Sequence, residues 1–272
     1  MDRSQPTVEA LLQELTSGIH AVLGDALVGV YVYGSYVSGG FDPGVSDVDL
    51  VVVTSVEADA LDLVGLASVH DGLVGRRPEW IDRIEVVYIG QATLGSYRTS
   101  LGRLAVISPG EPFHVRDDRV AEWVQNWYLV RETGRALHGP PPAAVVPVVA
   151  WAEFVAASAR YATEISRRSL DNASPGALAY AVLTMCRAHM TVRGQAHGSK
   201  QEAAAWTSQR LPEWAWLIDA ALRCRLSLGS VGFDDKITRA AALTLIALLA
   251  AEIGRGSPCQ GNRSRTRARP RG

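Results

Sequence analysis

Three acidic residues and a Gly-Ser pair are the candidate catalytic and binding residues of this sequence. Asp47 and Asp49 are separated by one residue, so on an extended strand both side chains project to the same side. Two neighbouring carboxylates repel each other, and burying them without a partner is unfavourable. A divalent cation resolves both problems, and magnesium in particular is commonly held by one or two carboxylates together with substrate phosphates.

The third acid is Glu85, which lies inside an apolar run where an unpaired glutamate would be unfavourable. If a strand at 83–89 lies beside a strand at 48–54, Glu85 joins the two aspartates in one acidic cluster. Gly34 and Ser35 would form a phosphate site, because glycine allows close backbone approach and the following amides and hydroxyl bind phosphate at a helix start. This combination indicates two-metal transfer of a nucleotidyl group, in which one ion activates the attacking hydroxyl and the other stabilises the pyrophosphate leaving group.

The order of the elements supports this interpretation more than either short motif does. Apolar and β-branched runs predict three strands, and apolar spacings of three and four predict two helices among them. The predicted strands are 27–33, 48–54 and 83–89, and the helices are 7–23 and 57–74. The Gly-Ser pair follows the first strand, the two aspartates open the second, and the glutamate lies in the third. From 91 to 118 we find no strong periodicity, and Pro109 and Pro112 favour a loop.

After Asp118 the sequence is typical of an all-helical region. The predicted helices are 120–137, 148–169, 177–193, 199–211, 214–226 and 235–253. Ser199 and Glu202 have the spacing of a capping box, in which the two side chains satisfy free amides of the first helical turn. We therefore expect an α+β protein with a mixed-sheet domain at 1–118, a helical domain at 119–254 and a disordered arginine-rich tail at 255–272.

Composition limits the class of protein. The 272 residues, 47% of them hydrophobic, are enough for a large core, and three cysteines are too few for a disulfide scaffold. The N-terminus lacks the apolar centre of a signal peptide. The longest apolar run, 240–251, is shorter than the roughly 20 residues that a membrane-spanning helix needs. We therefore expect a cytoplasmic protein without a membrane partner.

Charge is distributed unevenly along the chain. The tail at 255–272 has six arginines and no acid, which leaves 21 basic against 28 acidic residues in the rest. The acidic body repels nucleic acid and attracts cations, whereas the tail could bind RNA or DNA only weakly through phosphates. We expect no nucleic-acid partner and favour a solvated tail without function.

Together, Gly34-Ser35 and Asp47-x-Asp49 resemble the signature of the nucleotidyltransferase superfamily related to DNA polymerase β. In the second half, Arg187 followed by Gly198-Ser199-Lys200 resembles the C-terminal domain of the aminoglycoside (3'')(9) adenylyltransferases. The runs EAAAW, RLP and LHGPPP add to this resemblance, which covers roughly residues 10–253. It implies a polymerase-β-like nucleotidyltransferase domain followed by an all-α helical bundle.

The resemblance also implies a reaction, the transfer of AMP from ATP to a hydroxyl of streptomycin or spectinomycin with two magnesium ions. Its implied metal ligands are Asp47, Asp49 and Glu85, with Glu85 also acting as the base that takes the hydroxyl proton. Its implied phosphate and nucleotide contacts are Gly34, Ser35, Ser46, Arg187 and Lys200. Glu122 is a weaker candidate for an acidic position near the nucleotide or the metal. One chain suffices in this family, so we expect a monomer.

Two features of the residues themselves agree with a nucleotide role in the second half. Arg187 interrupts an apolar helix, which indicates an anionic ligand or, alternatively, a structural salt bridge or a side chain that snorkels to solvent. Lys200 opens a helix, where the helix dipole disfavours a cation unless an anion is near.

The segment before the arginine helix departs from the family pattern. Streptomycin-modifying members carry a tryptophan and an aspartate there, but 168–181 has no tryptophan and Asp171 as its sole acid. This favours spectinomycin, or another small hydroxylated and cationic compound. Two alternatives stay open: transfer to another acceptor such as an RNA end or a protein hydroxyl, and a nucleotide-binding regulator without turnover.

Overall fold

The apolar runs of the first half form the centre of a six-stranded sheet. The computed structural model describes residues 5–99, 101–227, 233 and 235–256. The strands are β1 Leu27–Tyr33, β2 Val48–Thr54, β3 Ile84–Gly90, β4 Leu101–Ser108, β5 Glu111–Arg119 and β6 Arg135–His138. Their order in the sheet is β5-β4-β3-β2-β1-β6. The β2–β3 pair is parallel and the other pairs are antiparallel.

Helices cover this sheet and connect its strands. They are α1 Gln5–Leu23, α2 Ser35–Ser38, α3 Leu63–Arg76, α4 Gln91–Gly95, α5 Val124–Thr133 and α6 Pro142–Val145. Buried side chains of α1 and α3 share one core cluster with Val32, Leu50 and Val86 of the central strands. Because side chains alternate along a strand, the residues next to these three in sequence project from the opposite face of the sheet.

Each of β2 and β3 is buried along its length except at its second residue. These two residues are Asp49 and Glu85, which are half-buried. The sheet register pairs them directly, Asp49 opposite Glu85. The acidic cluster was expected only if these two strands are neighbours, and β2 and β3 are paired in the sheet.

The region expected to be a loop between 91 and 118 is instead a helical turn followed by the β4–β5 hairpin. That expectation was wrong, because both prolines are compatible with a hairpin at the sheet edge. Pro109 lies in the turn beside Gly110, whose φ of 77° is one that glycine adopts readily. Pro112 lies in β5, and an edge strand tolerates a residue without an amide proton.

The helix expected at 120–137 is shorter than predicted. It ends as α5 at Thr133, and Gly134 turns the chain into β6, which pairs with β1. The contacts of the structure divide the chain at Ala150, later than the boundary expected near Asp118. The pairing of β6 with β1 accounts for the difference, since it ties the chain after Asp118 to the sheet.

The second unit, residues 151–272, consists of helices over the part that the structure describes. They are α7 Trp151–Arg167, α8 Pro175–Gly194, α9 Lys200–Arg210, α10 Ala215–Leu226 and α11 Lys236–Gly256. The buried helix α8 contacts each of the other four. The predicted capping box is present, with the Ser199 amide donating to Glu202 Oε2 at 2.7 Å and the Glu202 amide donating to Ser199 Oγ at 3.1 Å. The α+β fold class is confirmed; residues 257–272 of the predicted tail lie outside the described residues.

The helix α11 is long and apolar enough to cross a membrane by length and composition alone. Core helices of soluble proteins have the same property. In this structure Leu245, Leu249 and Ile253 of α11 belong to the core cluster of the second unit.

Candidate active site

A tight turn joins β1 to α2 and carries the Gly-Ser pair. Gly34 has φ 71° and ψ −146°, a conformation that favours glycine. A β-carbon on Gly34 would lie 2.9 Å from Cγ of Asp49, which is too close. Because glycine has no side chain, the backbone of the turn can pack directly against the Asp49 carboxylate. The hydroxyl oxygen of Ser35 is buried and has no hydrogen-bond partner among the described residues. A buried hydroxyl of this kind is suited to a ligand that supplies the missing partner, such as a phosphate oxygen.

The turn before β2 is held by Ser46 and Arg83. The buried Ser46 hydroxyl accepts a hydrogen bond from the Asp42 amide at 3.0 Å. The Arg83 guanidinium donates to the Ser46 carbonyl from Nε at 3.1 Å and from Nη2 at 2.6 Å, and it lies over the Trp80 ring. Ser46 thus has a structural function in orienting the start of β2.

The carboxylates of Asp47, Asp49 and Glu85 converge at the start of β2 and β3. One oxygen from each lies within 4.8 Å of the others, and all three residues are half-buried. Burial, then the charge of Asp47, raises the pKa of Glu85 to about 7, and the Arg116 guanidinium partly offsets this. The three acids therefore meet, as the sequence predicted, and they repel each other in the absence of a cation.

The donor set fits magnesium. The cation prefers carboxylate oxygens, keeps water and phosphate in its remaining positions, and is attracted to a site with several negative charges. Histidine and cysteine, which zinc prefers, are absent from the cluster in the described residues.

Two side chains beside the triad were missed by the sequence analysis. Tyr33 is the last residue of β1 and lies opposite Asp49. Its buried hydroxyl accepts a hydrogen bond from Asn126 Nδ2 of α5 at 2.7 Å. Burial, then the charges of Asp49 and Glu85, raises the pKa of Tyr33 well above its usual value. The position of Tyr33 next to Gly34 was a signal in the sequence, whereas nothing in the sequence indicated Asn126.

Arg116 was also missed, because β5 was not predicted. It lies on the edge strand β5, close enough for its charge to favour the ionised form of Glu85, and its guanidinium lies 5.3 Å from the centre of the Trp123 ring. Glu122, the weaker candidate, lines a surface depression of about 740 Å³ together with Asp59 and Arg103. It is not a member of the acidic cluster.

In the second unit, Arg187 is half-buried on α8, and no carboxylate lies within salt-bridge distance of it in the described part of the chain. The structural salt bridge considered for Arg187 is therefore not found there. Lys200 is the first residue of α9, and its Nζ lies 5.0 Å from the centre of the Tyr180 ring. Tyr180 Oη is in turn 3.5 Å from Tyr161 Oη. Arg187 lies near enough to Tyr161 to lower its pKa, although burial dominates and raises it.

Both halves of the chain match models of known protein families. Residues 22–101 match the family model described as the nucleotidyltransferase domain. Residues 145–248 match the model described as the aminoglycoside adenylyltransferase C-terminal domain. No curated protein matches the sequence.

Among solved structures, the fold is similar to that of the spectinomycin adenyltransferase AAD(9) from Enterococcus faecialis, crystallised with ATP and spectinomycin. The TM-score is 0.72 at 16% identity, over 90% of this chain and 99% of the other. At this identity the likeness shows the fold. The two family models add the family, and the resemblance found in the sequence is confirmed: the chain is a nucleotidyltransferase that belongs to the superfamily of that name and carries the C-terminal domain of the aminoglycoside adenylyltransferases.

Proposed function

We propose that this enzyme transfers AMP from ATP to a hydroxyl group of an aminoglycoside-type antibiotic with the help of magnesium. The observation that carries the proposal is the convergence of Asp47, Asp49 and Glu85 beside the Gly34-Ser35 turn. An acidic triad next to a buried hydroxyl that has no partner in the described part of the chain combines a metal site with a phosphate site. The similar enzyme was crystallised with ATP and spectinomycin, which supports the same assignment.

In this proposal the three carboxylates hold the metal, with two ions as the resemblance implies. When bound, magnesium neutralises charge on the triphosphate and lowers the pKa of the acceptor hydroxyl. Glu85 accepts the hydroxyl proton, and its own pKa of about 7 in the metal-free protein is well placed for a group that exchanges protons near neutral pH. The acceptor oxygen forms a bond to the α-phosphorus of ATP. The bond between that phosphorus and the oxygen that joins it to the β-phosphorus breaks, and pyrophosphate leaves.

The proposed nucleotide contacts include Gly34, Ser35, Arg187 and Lys200. Ser35 donates its buried hydroxyl to a phosphate oxygen, and Gly34 leaves room for it. Arg187 and Lys200 bind the nucleotide through their positive charges, which is consistent with the half-buried guanidinium of Arg187 having no carboxylate partner in the described residues. Ser46 holds the turn by accepting a hydrogen bond from the Asp42 amide, and we keep it as a further proposed phosphate contact.

We favour spectinomycin over streptomycin as the acceptor. The support is the segment 168–181, which has no tryptophan and a single acid, whereas streptomycin-modifying relatives carry a tryptophan and an aspartate there. Its acid, Asp171, is exposed. We further propose that the enzyme acts as a monomer in the cytoplasm, where ATP is supplied.

The chemistry is tested by following AMP transfer and pyrophosphate release with ATP, magnesium and a panel of antibiotics. Glu85→Gln keeps the shape of the side chain but cannot accept a proton, so transfer should fall by about 10²–10⁴-fold. Glu79→Gln, at an exposed glutamate of the same unit, is the matched control and should retain wild-type turnover. Full activity of Glu85→Gln would show that another group is the base.

The nucleotide contact is tested on α8. Arg187→Ala should raise KM for ATP at least tenfold, since it removes a cation from the triphosphate. Arg193→Ala, at an exposed arginine of the same helix, should leave KM within twofold of the wild type. Equal effects of the two substitutions would contradict a specific contact at Arg187.

The acceptor is tested by comparing kcat/KM for spectinomycin, streptomycin and a short RNA. We expect spectinomycin to be the best of the three. Transfer to RNA that weakens steeply with salt and disappears on removal of residues 257–272 would favour the alternative acceptor instead.

A further inference from the structure

Tyr33, Asp49 and Glu85 form a row across three adjacent strands. Tyr33 is paired with Asp49 in the β1–β2 register, and Asp49 is paired with Glu85 in the β2–β3 register. Paired residues project from the same face of a sheet, and neighbouring strands lie about 4.8 Å apart. Tyr33 therefore projects from the same face of the sheet as Asp49 and Glu85.

The hydroxyl of Tyr33 is oriented by α5. It is buried, and it accepts the amide proton of Asn126 at 2.7 Å. A phenol hydroxyl can accept one hydrogen bond and donate another. Because the Tyr33 oxygen accepts from Asn126, its own proton is available for a different acceptor. The carboxylates in register with Tyr33 are acceptors on the same face of the sheet.

We propose that Tyr33 is a positioning residue for the metal site: oriented by Asn126, it donates its hydroxyl proton to the acidic cluster through a bridging water and holds Asp49 ready to bind the cation. This inference rests on the proposed metal-dependent function. Partners that orient metal-binding carboxylates typically contribute about 10–100-fold to metal affinity. Tyr33 contacts neither nucleotide nor acceptor in this role, so its effect should reach the reaction through the metal.

Tyr31 provides a matched control. It is two residues earlier on β1 and faces the same side of the sheet, it is fully buried, and it lies opposite Val51 rather than an acid. Its hydroxyl has no hydrogen-bond partner among the described residues. Tyr31→Phe and Tyr33→Phe therefore each remove one buried hydroxyl, but only the second removes one beside the triad.

The experiment is a calorimetric titration of Mn²⁺ into the nucleotide-free, full-length protein. Tyr33→Phe should raise the Kd for Mn²⁺ by about 10–100-fold. Tyr31→Phe should stay within twofold of the wild type. Asn126→Leu, which leaves the Tyr33 hydroxyl without its donor, should weaken Mn²⁺ binding in the same direction as Tyr33→Phe.

Turnover separates positioning from a loss of structure. With Tyr33→Phe, the magnesium concentration for half-maximal transfer should rise, and excess magnesium should restore kcat. Equal Mn²⁺ affinities for Tyr33→Phe, Tyr31→Phe and the wild type would overturn the inference while leaving the proposed function intact. A wild-type protein that binds no Mn²⁺, or one in which Asp49→Ala binds it unchanged, would instead refute the metal site itself.

Discussion

The raised pKa of Glu85 predicts that the metal-free enzyme is destabilised by its own active site above neutral pH. The pKa of this carboxyl is about 7 in the folded, metal-free protein against 4.5 for an ordinary glutamate. The folded state therefore binds more protons than the unfolded state between these pH values. A raised acid pKa stabilises the fold at low pH, and that stability is lost as the pH rises through the interval.

The magnitude follows from the two pKa values. The difference between about 7 and 4.5 corresponds to about 3 kcal/mol, because one pKa unit is equivalent to about 1.4 kcal/mol. Most of the change falls between pH 5 and pH 8, where we expect the free energy of unfolding to decrease by roughly 2–3 kcal/mol on account of this one side chain. Glutamine at position 85 does not titrate, so Glu85→Gln should lack this component.

The assay is urea unfolding in EDTA at pH 5 and pH 8, monitored by tryptophan fluorescence. Between pH 5 and pH 8 the wild type should lose about 2–3 kcal/mol more unfolding free energy than Glu85→Gln does. Glu79→Gln controls for the loss of an exposed glutamate and should follow the wild type. Asp47→Asn should show a smaller pH dependence, because Asp47 is, after burial, the largest cause of the raised pKa.

A difference between Glu85→Gln and the wild type that is the same at pH 5 and pH 8 would refute this reasoning. It would mean that Glu85 ionises in the folded protein as it does in the unfolded chain. The carboxylates would then be too far apart, or too well hydrated, to need a cation, and the geometric case for the metal site would fail with it.

Three further outcomes are expected. Magnesium affinity should rise from pH 6 to pH 8 and binding should release protons, because Glu85 must lose its proton to become a ligand; calorimetry in two buffers of different ionisation enthalpy measures this. Gly34→Ala should destabilise the protein by about 1–3 kcal/mol and remove transfer, since it combines a left-handed φ with a β-carbon against Asp49; thermal unfolding together with the transfer assay checks both effects. Ser199→Ala should lower stability by about 1 kcal/mol through loss of the capping box with Glu202, and an unfolding curve matching that of the wild type would contradict it.

Several parts of the fold could be predicted because their signals are local. The three central strands are continuous apolar runs, and they are found where the sequence placed them. The capping box depends on residues three apart, Ser199 and Glu202, and it forms as expected. The same-side projection of Asp47 and Asp49 follows from the alternation of an extended chain, so the acidic pair was readable before any fold was known.

The edges of the sheet could not be predicted in this way. The strand β5, with the sequence EPFHVRDDR, is polar and contains a proline, and β6 is four residues long. Edge strands bury less surface than central ones, so their sequences carry little apolar periodicity. Each edge strand forms by pairing with a strand that is already in the sheet, β5 with β4 and β6 with β1. The sequence of the edge strand itself does not reveal that partner.

The central strands, the paired aspartates, the helical second half and the family of the chain can all be read from the order of its residues. Three features require the folded chain: Glu85 lies opposite Asp49, its pKa rises to about 7, and Tyr33 forms a hydrogen bond with Asn126, 93 residues later. Strand and helix patterns arise from interactions between near neighbours in the chain. Register, burial and the electrostatics of a site depend on residues that folding brings together from distant positions.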